Sequence, residues 1–126
     1  MQIDLIQLEA LKHRLNKHST IEIKIISDSM EPLLKINETV SIVPAVKSFD
    51  VFDLIVFWRD GKLFCHYIWR NQISFNKTIV TRSFKSLYSD EKPVEIQYVL
   101  GSVEGKKISF LAKLFILIKN VIKRST

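Results

Sequence analysis

The chain has 126 residues, 47% hydrophobic and 25% charged, which suits one domain with its own core and excludes a two-domain enzyme. Three Gly and three Pro leave little room for a disordered linker, and a lone cysteine, Cys65, with three scattered histidines makes neither an intrachain disulfide nor a structural zinc pattern, so no metal or cofactor is expected. The net charge of +6 is uneven: residues 1–103 carry 13 Lys/Arg against 12 Asp/Glu, whereas residues 104–126 carry six against one.

Residues 1–20 contain the first predicted element. Leu5, Leu8, Leu11 and Leu15 recur at helical spacing, with Lys12, Arg14 and Lys17 late, where cations suit the carbonyl end of a helix dipole. Asp4 and Glu9 interrupt the apolar stretch and no small-residue cleavage site follows, so the segment does not read as a secretory signal. The expected location is the cytoplasm. His13 and His18 lack any matching carboxylate or thiol spacing and read as solvated.

Residues 21–103 read as a mainly β unit of several short antiparallel strands. IEIKII at 21–26 alternates, and TVSIV at 39–43 and DLIVFW at 53–58 are rich in β-branched and aromatic residues. Asp60-Gly61 is a strong hairpin signal, because a primed two-residue turn needs positive φ. Further strands are expected at 72–75, 78–82 and 95–103, with 83–93 as a polar loop.

Residues 104–126 return to helical periodicity, giving a second amphipathic helix with Leu111, Leu114, Phe115, Ile118 and Ile122 on one face and Ser109, Lys113, Asn120 and Lys123 largely opposite. Lys113 and Lys119 leave far less than the roughly 20 apolar residues of a membrane span. Such a helix can pack on its own domain, lie in a membrane interface or engage a partner. The charge and apolar face predict reversible attachment of residues 106–126 to an anionic membrane surface, peripheral and at its inner side. Phe110 and Phe115 lie among apolar residues rather than between exposed cations, which argues against nucleic acid.

One constellation carries chemistry. Ser27-Asp28-Ser29-Met30-Glu31-Pro32 directly follows the first strand, where a turn presents a serine as a nucleophile must be presented, although many turns contain Ser and Pro for conformational reasons. SDSMEP at 27–32, DLIVF at 53–57, FCHYIW at 64–69 and the closing Val99-Leu100-Gly101-Ser102-Val103 together resemble the signal peptidase and LexA-like serine peptidase superfamily over roughly residues 21–103. The resemblance implies a LexA/signal-peptidase-like β fold and a serine endopeptidase acting on a peptide or precursor protein, with preference for a small residue. It also implies that Ser29 is the nucleophile and His66 the general base, as in the Ser-His branch. Asp90 would orient the imidazole, and Ser27 would supply an oxyanion-hole hydroxyl beside the Ser29 N–H. Asp53, opening the core strand, reads as structural.

The chain departs from the resembled pattern at several points. Asp28 stands between the serines where Gly is usual, Asn37-Glu38 replaces Gly-Asp, Tyr67 replaces an Arg, and the first Asp of the second acidic element is Phe84, with Asp90 six residues on. A carboxylate at Asp28 would disfavour an oxyanion nearby. A catalytically silent peptide-binding module on the same fold is therefore one alternative. A LexA-like self-cleaving regulator is another, weakened because neither Ala-Gly nor Cys-Gly occurs and 28 residues before Ser29 cannot hold a helix-turn-helix domain and linker. Adjacent strand residues face opposite ways, so Cys65 is not expected to pair with His66. The oligomeric state is not legible.

Overall fold

The computed structural model describes residues 2–27, 29–44, 49–85, 88–90 and 92–125, with side chains described through residue 122. Helix α1 (Leu5–His18) begins at Asp4, whose carboxylate accepts the Gln7 N–H while the Gln7 side chain accepts the Asp4 N–H. This reciprocal cap satisfies two donors that a helix start leaves open. Ser19, at φ 69°, ends the helix and turns the chain into the sheet.

The strands are β1 (Ile21–Lys24), β2 (Thr39–Val43), β3 (Leu54–Arg59), β4 (Lys62–Gln72), β5 (Thr78–Arg82), β6 (Val94–Glu95) and β7 (Val99–Val103). They form one seven-stranded antiparallel sheet in the order β1-β2-β7-β3-β4-β5-β6. Asp60 and Gly61, at φ 51° and 82°, make the two-residue turn between β3 and β4. Gly101 sits where β7 approaches its neighbours most closely. A Cβ there would lie 2.3 Å from the Val43 carbonyl oxygen and 3.1 Å from Leu15.

Two apolar clusters occupy the sheet's two faces. The larger joins Leu8 and Leu15 of α1 to Ile42, Val56 and Tyr67, with Cys65 and Trp69 packed against it. The smaller gathers Ile55, Phe57, Ile68, Ile79 and Val94. Residues 1–20 thus share the core of the β unit, and the Trp58 indole N–H donates to the Ile3 carbonyl at 2.8 Å.

Three expected elements differ from the sequence reading. Residues 72–75 are not a separate strand: β4 runs to Gln72 and a single helical turn, α2 (Ile73–Asn76), follows. The Asn71 side chain accepts the Ile73 N–H, Lys77 closes the turn at φ 60°, and Phe75 has no sheet face to cover. Residues 95–103 are not one strand either. A 3-10 turn at Ile96–Tyr98 carries the chain from β6 beside β5 to β7 between β2 and β3, so one apolar run serves two distant places in the sheet. Finally, the first strand is shorter than 21–26, although Ile25 still exchanges backbone bonds with Asn37 and Glu38.

Helix α3 (Phe110–Ser125) packs on the domain through Ala112 and Ile116, with Ile108 buried just before it. The face selected from the sequence as apolar, Leu111, Leu114, Phe115, Ile118 and Ile122, is the exposed one. Among the described residues, no helix is long and apolar enough to cross a membrane.

Candidate active site

β4 places consecutive side chains on opposite faces, and this separates Cys65 from His66. The thiol packs against the larger core, where burial pushes its pKa up to about 12, so it stays protonated and is a poor nucleophile at neutral pH. The His66 imidazole lies on the other face with its ring near Phe57 and Phe64, at centroid distances of 5.7 and 6.0 Å.

His66 Nδ1 lies 2.6 Å from Asp90 Oδ2, and both side chains are largely buried. Asp90 is fixed by Thr81 twice: its N–H donates to the Thr81 carbonyl at 2.8 Å, and the Thr81 hydroxyl donates to Oδ2 at 2.5 Å. Burial alone would raise the pKa of Asp90. The bonds from His66 and Thr81, supported by the charges of His66 and Arg59, outweigh that effect and hold the carboxyl below its ordinary value. An ionised Asp90 bonded to Nδ1 sets the imidazole's orientation and leaves Nε2 as the nitrogen available for proton transfer.

Ser29 enters the same end of the sheet. Its carbonyl accepts the Phe84 N–H at 2.9 Å, two residues beyond Arg82, which pairs with Tyr67, the neighbour of His66. Met30 and Leu34, both buried, anchor the turn, and the Leu34 N–H donates to the Met30 carbonyl. The Ser29 N–H donates to Ser27 Oγ at 3.1 Å, so the two expected oxyanion donors are adjacent but the N–H is engaged by its neighbour rather than open to a substrate oxygen. Among the described residues, Ser29 Oγ has no hydrogen-bond partner, and none joins it to His66. Asp28 lies outside the described residues.

A cavity of about 40 Å³ borders Ser27 and Ser29, walled by Ile23, Ile25, Met30, Leu34, Val56 and Leu63. It is apolar and small, and it runs from the first strand to β3 and β4 in the middle of the sheet, where Val56 and Cys65 also line it. A larger cavity of about 540 Å³ lies beneath α3, between Leu33, Tyr67, Phe84 and Ile116.

Other flagged positions find structural roles. Asp53 accepts the Asp50 N–H at 3.1 Å, and burial raises its pKa, while its own carbonyl accepts the Ile68 N–H. Tyr67 is buried between Phe52 and Phe84. Asn37 adopts φ 71°, a left-handed conformation that Asn tolerates better than most residues, and Glu38 receives the Lys35 N–H and pairs with Lys106 at 3.0 Å.

Thr81 was not singled out as an Asp90 partner in the sequence, nor was the burial of Arg82. Arg82 stacks on Trp69 at 3.7 Å and reaches Asn120 of α3 at 3.3 Å. The alternation of Ile79 and Thr81 signals that Thr81 faces inward, but nothing local names its partner. Among the described residues, no group of three or more His, Cys, Asp or Glu is placed to hold a metal. Compared with known proteins, the chain matches no family model and no curated protein sequence.

Proposed function

We propose that this protein is a serine endopeptidase of the signal-peptidase and LexA-like kind, with Ser29 as nucleophile, His66 as general base and Asp90 as the carboxylate that orients the imidazole. The observation that carries the reading is the 2.6 Å contact between His66 Nδ1 and Asp90 Oδ2, made by residues 24 positions apart. A general base is served by such a carboxylate, because the pair sets its tautomer and stabilises the imidazolium that forms.

In this chemistry Ser29 Oγ attacks the carbonyl carbon of the scissile bond and its proton passes to His66 Nε2. Once the Ser29 N–H leaves Ser27 Oγ, it and the Ser27 hydroxyl donate to the oxygen that becomes negative. The C–N bond then breaks, His66 returns the proton to the leaving amine, and water hydrolyses the resulting ester by the same route in reverse. The hydroxyl and the imidazole must come into contact for the first transfer, and such bonds commonly tighten only in the substrate complex.

The apolar cavity of about 40 Å³ beside Ser29 supports a preference for a small side chain next to the cleaved bond. Asn37 supports the likeness to the superfamily, since it keeps the positive φ that the usual glycine would provide. The Ser29 hydroxyl, without a hydrogen-bond partner among the described residues, favours a second reading, a groove on the same scaffold that holds a peptide without cutting it.

The deciding experiment exposes the protein to a fluorophosphonate and a penem-like reagent and locates any adduct by mass spectrometry. Acylation or phosphonylation at Ser29, absent from Ser29→Ala and reduced in His66→Ala, is the expected result. Absence of any adduct, with retained binding to peptides displayed in a library, would establish the silent module instead.

A further inference from the structure

Helix α3 sets its apolar residues away from its own domain. The half-buried positions Ala112, Lys113, Ile116 and Asn120 repeat every three to four residues and form the inner face. At 100° per residue, the apolar side chains from Leu117 round to Phe115 span roughly 160° on the opposite side. Phe110 is 78% exposed, Leu111 75% and Val121 65%, and Leu114, Ile118 and Ile122 are also exposed. Soluble proteins rarely leave so continuous an apolar ridge uncovered unless it has an occupant.

The charges around that ridge identify the occupant. Lys119 lies at one margin with its ammonium 4.4 Å from the Phe115 ring, while Lys113, on the inner face, holds its ammonium 5.6 Å from the Phe52 ring of the domain. Residues 105–126 contain six Lys/Arg and no Asp or Glu. Lysines flanking a broad apolar face match a bilayer interface, where the stems lie along acyl chains and the ammonium groups reach anionic phosphates. A second copy of this chain would bring like charges together, and a coiled-coil seam is narrower than this ridge. The helix has 16 residues and cannot span the bilayer, so it must lie in its plane.

We propose that α3 is an in-plane docking helix that seats the protein on an anionic lipid surface, with the exposed ridge buried among acyl chains and the sheet held above the headgroups. The docked orientation brings the turn carrying Ser29 toward the lipid, because Phe84, whose N–H binds the Ser29 carbonyl, lines the cavity directly beneath α3. The docking itself does not depend on the peptidase reading.

Flotation of the full chain with phosphatidylcholine vesicles, with and without phosphatidylserine, tests this. The protein should float with the anionic vesicles at low salt, dissociate as salt rises, and remain largely unbound to neutral ones. Phe110→Glu combined with Ile118→Glu should lower the bound fraction at least tenfold, and Lys119→Glu several-fold, while the thermal unfolding transition stays that of the unaltered protein. Equal binding to neutral vesicles would overturn the role of charge. Failure to float, together with concentration-dependent dimerisation that Phe110→Glu and Ile118→Glu abolish, would assign the ridge to a second copy and overturn the proposal.

Discussion

The two faces of β4 use the same backbone for opposite purposes. On one face Cys65, Tyr67 and Trp69 pack toward the core that α1 closes, and the thiol is pushed to about 12. On the other, one residue along, His66 meets a carboxylate held low by its bonds. Both positions are shielded from water. What separates them is whether the surroundings supply a partner for charge, and this decides whether a titratable group is silenced or made available for chemistry.

The largest expected effects set these faces against each other in activity. Ser29→Ala should remove turnover, and His66→Ala should lower kcat/KM by about 10²–10⁴, whereas Cys65→Ala should leave the rate within a few-fold of the unaltered protein. A peptide-cleavage assay measures all three. Loss of activity in the cysteine variant alone would reverse the assignment of the faces.

Stability should divide in the other direction. Leu15→Ala, in the larger cluster, should cost about 2–5 kcal/mol in denaturant unfolding, and Gly101→Ala should also destabilise because its Cβ has no room against the Val43 carbonyl. His66→Ala should cost less than Leu15→Ala because Asp90 keeps both of its bonds from Thr81, but it should still destabilise, since the largely buried carboxylate loses its imidazole partner.

Acid should act on the His66 face. The carboxyl of Asp90 ionises more readily in the folded chain than in the unfolded one, so its contribution to stability is complete above the ordinary carboxylate range. That contribution is lost as pH falls below about 4 through the depressed folded value. Asp90→Asn should flatten this acid limb in a pH series of unfolding midpoints, and should reduce cleavage by less than His66→Ala does.

The smallest effect concerns the thiol. Cys65 should react with iodoacetamide far more slowly at neutral pH than a free thiol and should become reactive on unfolding, as mass spectrometry would record. Rapid alkylation of the folded protein would show that the core face is open.

Much of this arrangement was legible in short stretches of sequence. Asp60-Gly61 announced its hairpin because positive φ is a local demand, and alternation along residues 64–69 put Cys65 and His66 on different faces without any knowledge of neighbours. The run 95–103 misled for the same reason. Its β-branched and apolar residues satisfy strand geometry throughout, yet the break at Ile96–Tyr98 exists because the two halves join different partners. Residues 72–75 misled because an exposed Phe75 looks like a strand residue until no face is found for it.

The sequence by itself determined the Asp60-Gly61 turn, side-chain parity and the amphipathic character of both terminal helices, all of which depend on residues within a few positions of one another. Only the tertiary structure decided that α1 turns Leu8 and Leu15 inward while α3 turns its apolar ridge outward, since periodicity fixes the existence of a face and not its direction. Tertiary packing likewise brought Asp90 and Thr81 to His66. Pairing across 24 residues is set by strand order and register, which arise from burial summed over the whole sheet rather than from any local preference.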